Sequence, residues 1–155
     1  MCSNNNLLLR FTINKVFKFF YYFNKPKFIK LNLIDSPDIA QTIAVTCLGL
    51  GIRCDIEGLH TLKVKETDRL IALKNEITKL GAKISITTKS LSIYPTELIN
   101  KNINIFTYND HRMAMSFAPL AICRDINILN AEVVNKSYPN FWNDIKSVGI
   151  EYSII

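Results

Sequence analysis

A charged stretch between Lys63 and Arg69 contains the residues of this sequence that are best suited to chemistry. It places five ionisable side chains within seven residues. Apolar residues then recur at spacings of three and four up to Gly81, which predicts an amphipathic helix over residues 66–80 with the glycine as its C-terminal cap. The charged side chains are therefore expected at the start of a helix.

Spacing supports two interpretations of this helix start. Lys65 and Arg69 are four residues apart, so they would share a face of a helix that includes both. Unpaired backbone N–H groups at a helix start favour anions, which indicates a phosphate or carboxylate site. Glu66 and Asp68 favour an ordinary solvated surface instead, because acids in the first turn stabilise a helix without any ligand. Spacing alone favours neither interpretation.

The pattern on both sides of this stretch predicts an α/β fold made of repeated units. Strands are predicted at 28–33, 52–57, 83–88, 91–94, 104–108, 126–129 and 150–155, and helices at 38–50, 66–80, 110–122 and 139–148. This order predicts two copies of a β-α-β-α-β-β unit. Pro119 lies inside the third helix and should kink it, because proline lacks a backbone donor.

Charged residues stand at or just before each predicted helix start. They are Asp38, Lys65, Glu66, Arg69, His111, Arg112 and Lys136. If the repeated units hold their helices in parallel, these side chains face one common surface. Cations at helix N-termini oppose the preference of the helix dipole, and sequences depart from local rules most often where function requires it. An anionic ligand is therefore expected at this surface, although the pattern names no reaction.

The net charge of +6 comes from one end of the chain. Residues 1–30 hold six basic residues and no acid, whereas residues 31–155 hold 13 of each sign. We therefore divide the chain into a basic, compositionally biased N-terminal segment at 1–30 and a domain at 31–155. A targeting segment is the alternative interpretation of residues 1–30. Because the domain is neutral, no nucleic-acid partner is expected.

The cysteines and the hydrophobic pattern limit the class of protein. Cys2, Cys47, Cys54 and Cys123 show no spacing of metal ligands, which favours reduced thiols in a cytoplasmic protein. No apolar run approaches the about 20 residues of a membrane-spanning helix, so no membrane partner is expected. A metal site is not predicted either.

Four short motifs indicate a particular protein family more specifically than the chemistry of their side chains does. They are Pro37–Thr42, Lys65–Arg69, Tyr108–Met115 and Lys136–Pro139, in this order. Together they resemble the C-terminal portion of the 5-enolpyruvylshikimate-3-phosphate synthase (3-phosphoshikimate 1-carboxyvinyltransferase) family, from about residue 32 to residue 149. The resemblance implies a fold of βαβαββ units of the enolpyruvyl transferase type, an inside-out α/β barrel. About two units of the C-terminal domain would be present, so residues 31–155 would form a partial domain. The Lys65–Arg69 and Asn109–Met115 motifs argue against the related enolpyruvyl transferase that acts on UDP-N-acetylglucosamine.

The resemblance also implies a reaction and residue roles. The enolpyruvyl group of phosphoenolpyruvate would pass to the 5-hydroxyl of shikimate 3-phosphate in the pathway to chorismate and the aromatic amino acids, without metal or organic cofactor. Asp38 would bind the shikimate hydroxyls and accept the proton of the 5-hydroxyl, and Glu66 would handle the proton at the phosphoenolpyruvate methylene. The implied substrate-binding side chains besides Asp38 are Lys65, Arg69, His111, Arg112 and Lys136. A histidine that is simply hydrogen-bonded at the helix start is the equally favoured alternative for His111.

Two departures from the family pattern bear on function. Thr61 stands where many members have an asparagine four residues before the lysine of the motif. The motifs of the family's N-terminal domain are absent, so activity is expected only together with a separately encoded N-terminal half. An inactive, truncated remnant of the enzyme is the alternative.

Overall fold

Two four-stranded sheets and the helices packed on them make up the part of the chain that the computed structural model describes, residues 6–11, 26–94, 100 and 103–154. The strands are β1 (Leu7–Phe11), β2 (Phe28–Asn32), β3 (Arg53–Glu57), β4 (Ile84–Ile86), β5 (Ser90–Ile93), β6 (Asn104–Phe106), β7 (Ile126–Leu129) and β8 (Ile150–Ile154). The α-helices are α1 (Ala40–Leu50), α2 (Arg69–Lys79), α3 (His111–Phe117) and α4 (Phe141–Ser147). Short 3-10 helices cover Pro37–Ile39, His60–Val64, Ala118–Ile122 and Ala131–Lys136. The predicted α/β fold class is confirmed.

The first sheet has the strand order β2-β3-β5-β4. Strands β2 and β3 are parallel, and the other two pairs are antiparallel. A parallel pair needs a crossover connection, and α1 supplies it. Helix α1 ends at Gly51, whose φ of 64° is readily adopted by glycine and lets its N–H reach the carbonyls of Cys47 and Leu48.

The second sheet contains a strand from the far end of the chain. Its order is β6-β7-β1-β8, with β6 and β7 parallel and β1 antiparallel to both neighbours. Leu7 and Leu9 of β1 are buried in the core. The segment predicted at residues 1–30 therefore supplies β1 and most of β2, and the division of the chain at residue 31 stays a prediction. The aromatic run at 19–23 lies outside the described residues.

The helix predicted over residues 66–80 starts later than its charge pattern indicated. Asp68 is its N-cap, with the side chain accepting a hydrogen bond of 3.1 Å from the Ile71 N–H, and α2 begins at Arg69. Lys65 lies outside the helix, so the condition under which Lys65 and Arg69 would share a helix face is not met. The capping aspartate explains the difference, because its side chain satisfies a donor of the first turn only from outside the helix.

The last two helices also differ from their predicted lengths. Helix α3 ends at Phe117 and continues as a 3-10 helix that contains Pro119, which is the change of geometry expected where a backbone donor is missing. Helix α4 starts at Phe141, two residues after its predicted start at residue 139. Within the described ranges, no helix has the length and apolar character needed to cross a membrane.

Candidate active site

A buried arginine on the first turn of α2 joins three carboxylates. The side chain of Arg69 is 1% exposed. Its Nε donates to Asp110 Oδ2 at 2.6 Å, its Nη1 to Asp38 Oδ1 at 2.9 Å and its Nη2 to Glu66 Oε2 at 2.6 Å. A guanidinium has five N–H donors in a fixed plane, and this geometry brings acids from three chain segments to one point.

Asp38 is the second centre of this cluster. It lies in the 3-10 helix before α1, and its carboxylate also pairs with Lys65 Nζ and Arg112 Nη2, each at 3.3 Å. Arg112 Nη1 donates to the Asp38 carbonyl at 3.1 Å. Partial burial acts to raise the pKa of Asp38, but the hydrogen bond from Lys65 and the charges of Arg112, Lys65 and Arg69 outweigh it and hold the pKa below its usual value. Asp38 is therefore ionised at neutral pH.

Glu66 lies at the exposed side of the cluster, in the loop before α2. A hydrogen bond from its own backbone is the largest influence on its pKa, which is lowered. Partial desolvation opposes this shift, while the charges of Arg69, His111 and Lys65 add to it. The carboxylate is therefore ionised while it is paired with Arg69.

Asp110 is the buried member of the cluster that sequence reasoning missed as a site residue. Its side chain is 0% exposed, and besides Arg69 it accepts a hydrogen bond of 2.8 Å from the Arg112 N–H as the N-cap of α3. His111, the next residue, has its Nδ1 4.0 Å from Asp110 Oδ1. The signal in the sequence was the capping position of Asp110, but a cap does not reveal a buried ionic partner that lies 41 residues away.

A cavity of about 230 Å³ lies beside the cluster. It is lined by Thr42, His111, Arg112, Met115, Ser137 and Tyr138. Lys136 is exposed and precedes the lining residue Ser137, and no ion pair joins Lys136 to the cluster within the part of the chain that the structure describes. Lys136 therefore lies near the cavity in the chain but is not held by the acids.

The structure thus brings together most of the predicted site residues. Ion pairs join Asp38, Lys65, Glu66, Arg69 and Arg112. His111 lies at their edge, and Thr61 has a buried Oγ1 that finds no hydrogen-bond partner among the described residues. Chemically, the cluster offers two partly exposed carboxylates that can move protons, next to cations that can hold anionic groups.

The lowered pKa of Asp38 predicts a loss of stability in acid. Its ion pairs contribute fully above the ordinary pKa of 3.8, and the contribution is lost as the pH falls through the lowered value. Urea unfolding between pH 5 and pH 2 should therefore show a shallower decline for Asp38→Asn than for the wild type. The difference should stay below about 1 kcal/mol, because the side chain is more than a third exposed.

The control for this experiment is Asp35→Asn, an exposed acid in the preceding turn. It should keep the wild-type dependence on pH. Identical curves for Asp38→Asn and the wild type would show that the ion pairs of Asp38 contribute nothing to folding.

Comparisons with known proteins identify the family of this chain. Residues 12–145 match the family model of EPSP synthase (3-phosphoshikimate 1-carboxyvinyltransferase). A 3-phosphoshikimate 1-carboxyvinyltransferase of Bacteroides fragilis is 45% identical over 121 residues, covering 76% of this chain and 30% of the relative. The enzyme of that name from Methanospirillum hungatei is 39% identical over 123 residues, covering 79% of this chain and 28% of the relative.

A solved structure gives the same result for the fold. The EPSP synthase of Acinetobacter baumannii superimposes with a TM-score of 0.64 at 26% identity, over 78% of this chain and 29% of that chain. The chain thus spans about 30% of the length of the curated relatives it matches. Because the family model covers residues 12–145, most of the sequence, this chain belongs to the EPSP synthase (3-phosphoshikimate 1-carboxyvinyltransferase) family.

Proposed function

We propose that this chain supplies one wall of an active site that transfers the enolpyruvyl group of phosphoenolpyruvate to the 5-hydroxyl of shikimate 3-phosphate. The observation that supports this most is the ionic cluster, in which Asp38 and Glu66 stand among Arg69, Lys65 and Arg112. Both substrates are anionic, and planar guanidinium groups suit phosphate and carboxylate oxygens. The predicted cytoplasmic location fits this role and stays a prediction.

The proposed steps conserve protons and leaving group. Asp38 accepts the proton of the 5-hydroxyl while the oxygen of that hydroxyl bonds to C2 of phosphoenolpyruvate. Glu66 gives a proton to the methylene carbon. The tetrahedral intermediate then loses phosphate, whose leaving oxygen takes the proton held by Asp38, and a methyl proton returns to Glu66. Since Glu66 is ionised beside Arg69, it needs a raised pKa to act as an acid. The negative charges of bound phosphoenolpyruvate act in that direction.

Of the cationic side chains proposed to bind substrate, Arg112 and Lys136 are the most available to an anionic group. Arg69 is buried and donates to three carboxylates, whereas Arg112 lines the cavity. Lys136 is exposed and directly precedes the lining residue Ser137 in the chain. Lys65 is partly exposed and faces Asp38. We infer that phosphoenolpyruvate binds in the cavity, with Arg112, Lys136 and His111 around it, while Lys65 and Asp38 face shikimate 3-phosphate.

The chain is proposed to need a partner for turnover, because it spans about 30% of its relatives. A site that holds two substrates loses orders of magnitude in rate when one wall is missing. The proposed partner is a separately encoded N-terminal half. The alternative is a remnant that folds but cannot complete the site.

A complementation experiment distinguishes a chain that works with a separate N-terminal half from an inactive remnant. The chain is mixed with the portion of the Bacteroides fragilis relative that it does not match, and phosphate release is measured with both substrates. The relative's own matching segment serves as the control that must restore turnover. Turnover by the mixture, here called the reconstituted enzyme, and none by the chain alone is the expected result. If only the control segment restores turnover, this chain is an inactive remnant. Normal turnover by the chain alone would contradict the need for a partner.

A further inference from the structure

A second buried charge on α2 holds the loop that leads to α3. Glu76 is 0% exposed, and its carboxylate accepts hydrogen bonds from the Phe106 N–H at 3.2 Å and from the Tyr108 hydroxyl at 2.6 Å. Lys79 Nζ lies 2.8 Å from both oxygens of the same carboxylate. None of these residues lines the cavity beside the ionic cluster.

The loop that Glu76 holds has an unusual backbone. Tyr108 and Asn109 have φ angles of 55° and 57°, and the Asp110 N–H donates to the Thr107 carbonyl at 2.9 Å across them. Two central residues with positive φ are the mark of a type I′ turn, which glycine, asparagine and aspartate favour. Tyrosine is unfavourable there because of its Cβ, so contacts outside the turn must hold it.

The geometry of α2 explains how one helix binds this loop through two of its side chains. Arg69 and Glu76 are seven residues apart, about two helical turns or about 10 Å, and so lie on the same face. Glu76 binds Phe106 and Tyr108, and Arg69 binds Asp110 through Nε at 2.6 Å. The loop therefore runs along α2 between two buried charges of opposite sign.

This arrangement connects Glu76 to the site. Asp110 caps α3 through the Arg112 N–H, and the Arg112 side chain reaches Asp38. We propose that Glu76 and the Tyr108 hydroxyl form a clasp that positions Arg112 for its anionic ligand by fixing the turn at Tyr108 and Asn109. Glu76 is then a positioning residue that touches no substrate. The role in ligand binding rests on the proposed function, while the effect on the loop does not.

Amide hydrogen exchange of the full chain, followed by NMR, tests the clasp. The reporter is the Arg112 amide, which is held by Asp110. Glu76→Gln and Tyr108→Phe should each accelerate its exchange about fivefold or more, the factor expected for one lost net hydrogen bond. Tyr108→Phe removes a single hydroxyl, so it keeps the test valid if Glu76→Gln does not fold.

The matched control is Ile93→Val in β5, a small core change far from the loop in the chain. Its loss of stability should resemble that of Tyr108→Phe, but the exchange of Arg112 should stay at the wild-type rate relative to the slowest core amides. Equal acceleration by the control, or no acceleration by Tyr108→Phe, would overturn the clasp.

A second measurement separates the clasp from the proposed function. In the reconstituted enzyme, Tyr108→Phe should raise the KM for phosphoenolpyruvate about fivefold with a smaller effect on kcat, and Ile93→Val should leave both unchanged. An unchanged KM would overturn the positioning of Arg112 for its ligand. If reconstitution gives no turnover at all, the proposed function has failed, and the exchange of the Arg112 amide alone decides whether the clasp exists.

Discussion

Replacing Arg69 with methionine should lower the free energy of unfolding by about 3–5 kcal/mol, the range for a buried ion pair that loses one partner. The reason is Asp110, whose 0% exposed carboxylate would lose the guanidinium that lies 2.6 Å from it. Small domains have total stabilities of about 5–15 kcal/mol, so the effect should be plain in urea unfolding followed by circular dichroism.

Two further variants show whether the buried charge causes this loss. Lys65→Met breaks an ion pair with Asp38 in which the side chains are 32% and 37% exposed, and it should cost about 0–1 kcal/mol. Adding Asp110→Asn to Arg69→Met should recover much of the loss, because asparagine removes the charge and still caps α3. A loss below about 1 kcal/mol for Arg69→Met, or no recovery in the double variant, would contradict the buried-pair explanation.

Glu66→Gln should reduce the turnover of the reconstituted enzyme by about 10²–10⁴-fold, the usual contribution of a positioned acid or base. Glutamine keeps the shape of the side chain and an oxygen that can accept from Arg69 Nη2, but it cannot exchange a proton with the phosphoenolpyruvate methylene. Binding of phosphoenolpyruvate should therefore be preserved while phosphate release falls. Steady-state phosphate release and calorimetric titration measure the two quantities separately.

The control for Glu66 is its neighbour Asp68. This acid caps α2 through the Ile71 N–H and takes no part in the ionic cluster. Asp68→Asn should keep both turnover and binding, since asparagine is an equally good N-cap. Wild-type turnover by Glu66→Gln would remove Glu66 from proton transfer, and equal losses in both variants would point to a general effect on the start of α2.

Local signals were enough to predict most elements of this fold. Hydrophobic periodicity located the four α-helices, and alternating apolar and polar residues located β2. Helix ends were less accurate. The start of α2 moved to Arg69 because Asp68 is its cap, and charge alone could not choose among several polar residues in a row.

Sequence by itself also determined which residue types the site would contain. Motifs around Asp38, Glu66 and Arg112 named the chemistry through family resemblance, and the predicted helix starts indicated a common surface. Asp38 pairs directly with Arg112, and Arg69 links Asp38 to Glu66. Their catalytic and binding roles stay proposals that the experiments above address.

Only the tertiary structure decided the partners. No strand was predicted at β1, and strand pairing has no local signal, so its place between β7 and β8 could not be predicted. The same holds for Arg69, to which the family resemblance assigns substrate binding. In the structure its donors reach Asp38 and Asp110, 31 and 41 residues away. What packs around a charged side chain decides whether it is buried among ion-pair partners or exposed to bind substrate. That packing is a property of the whole fold.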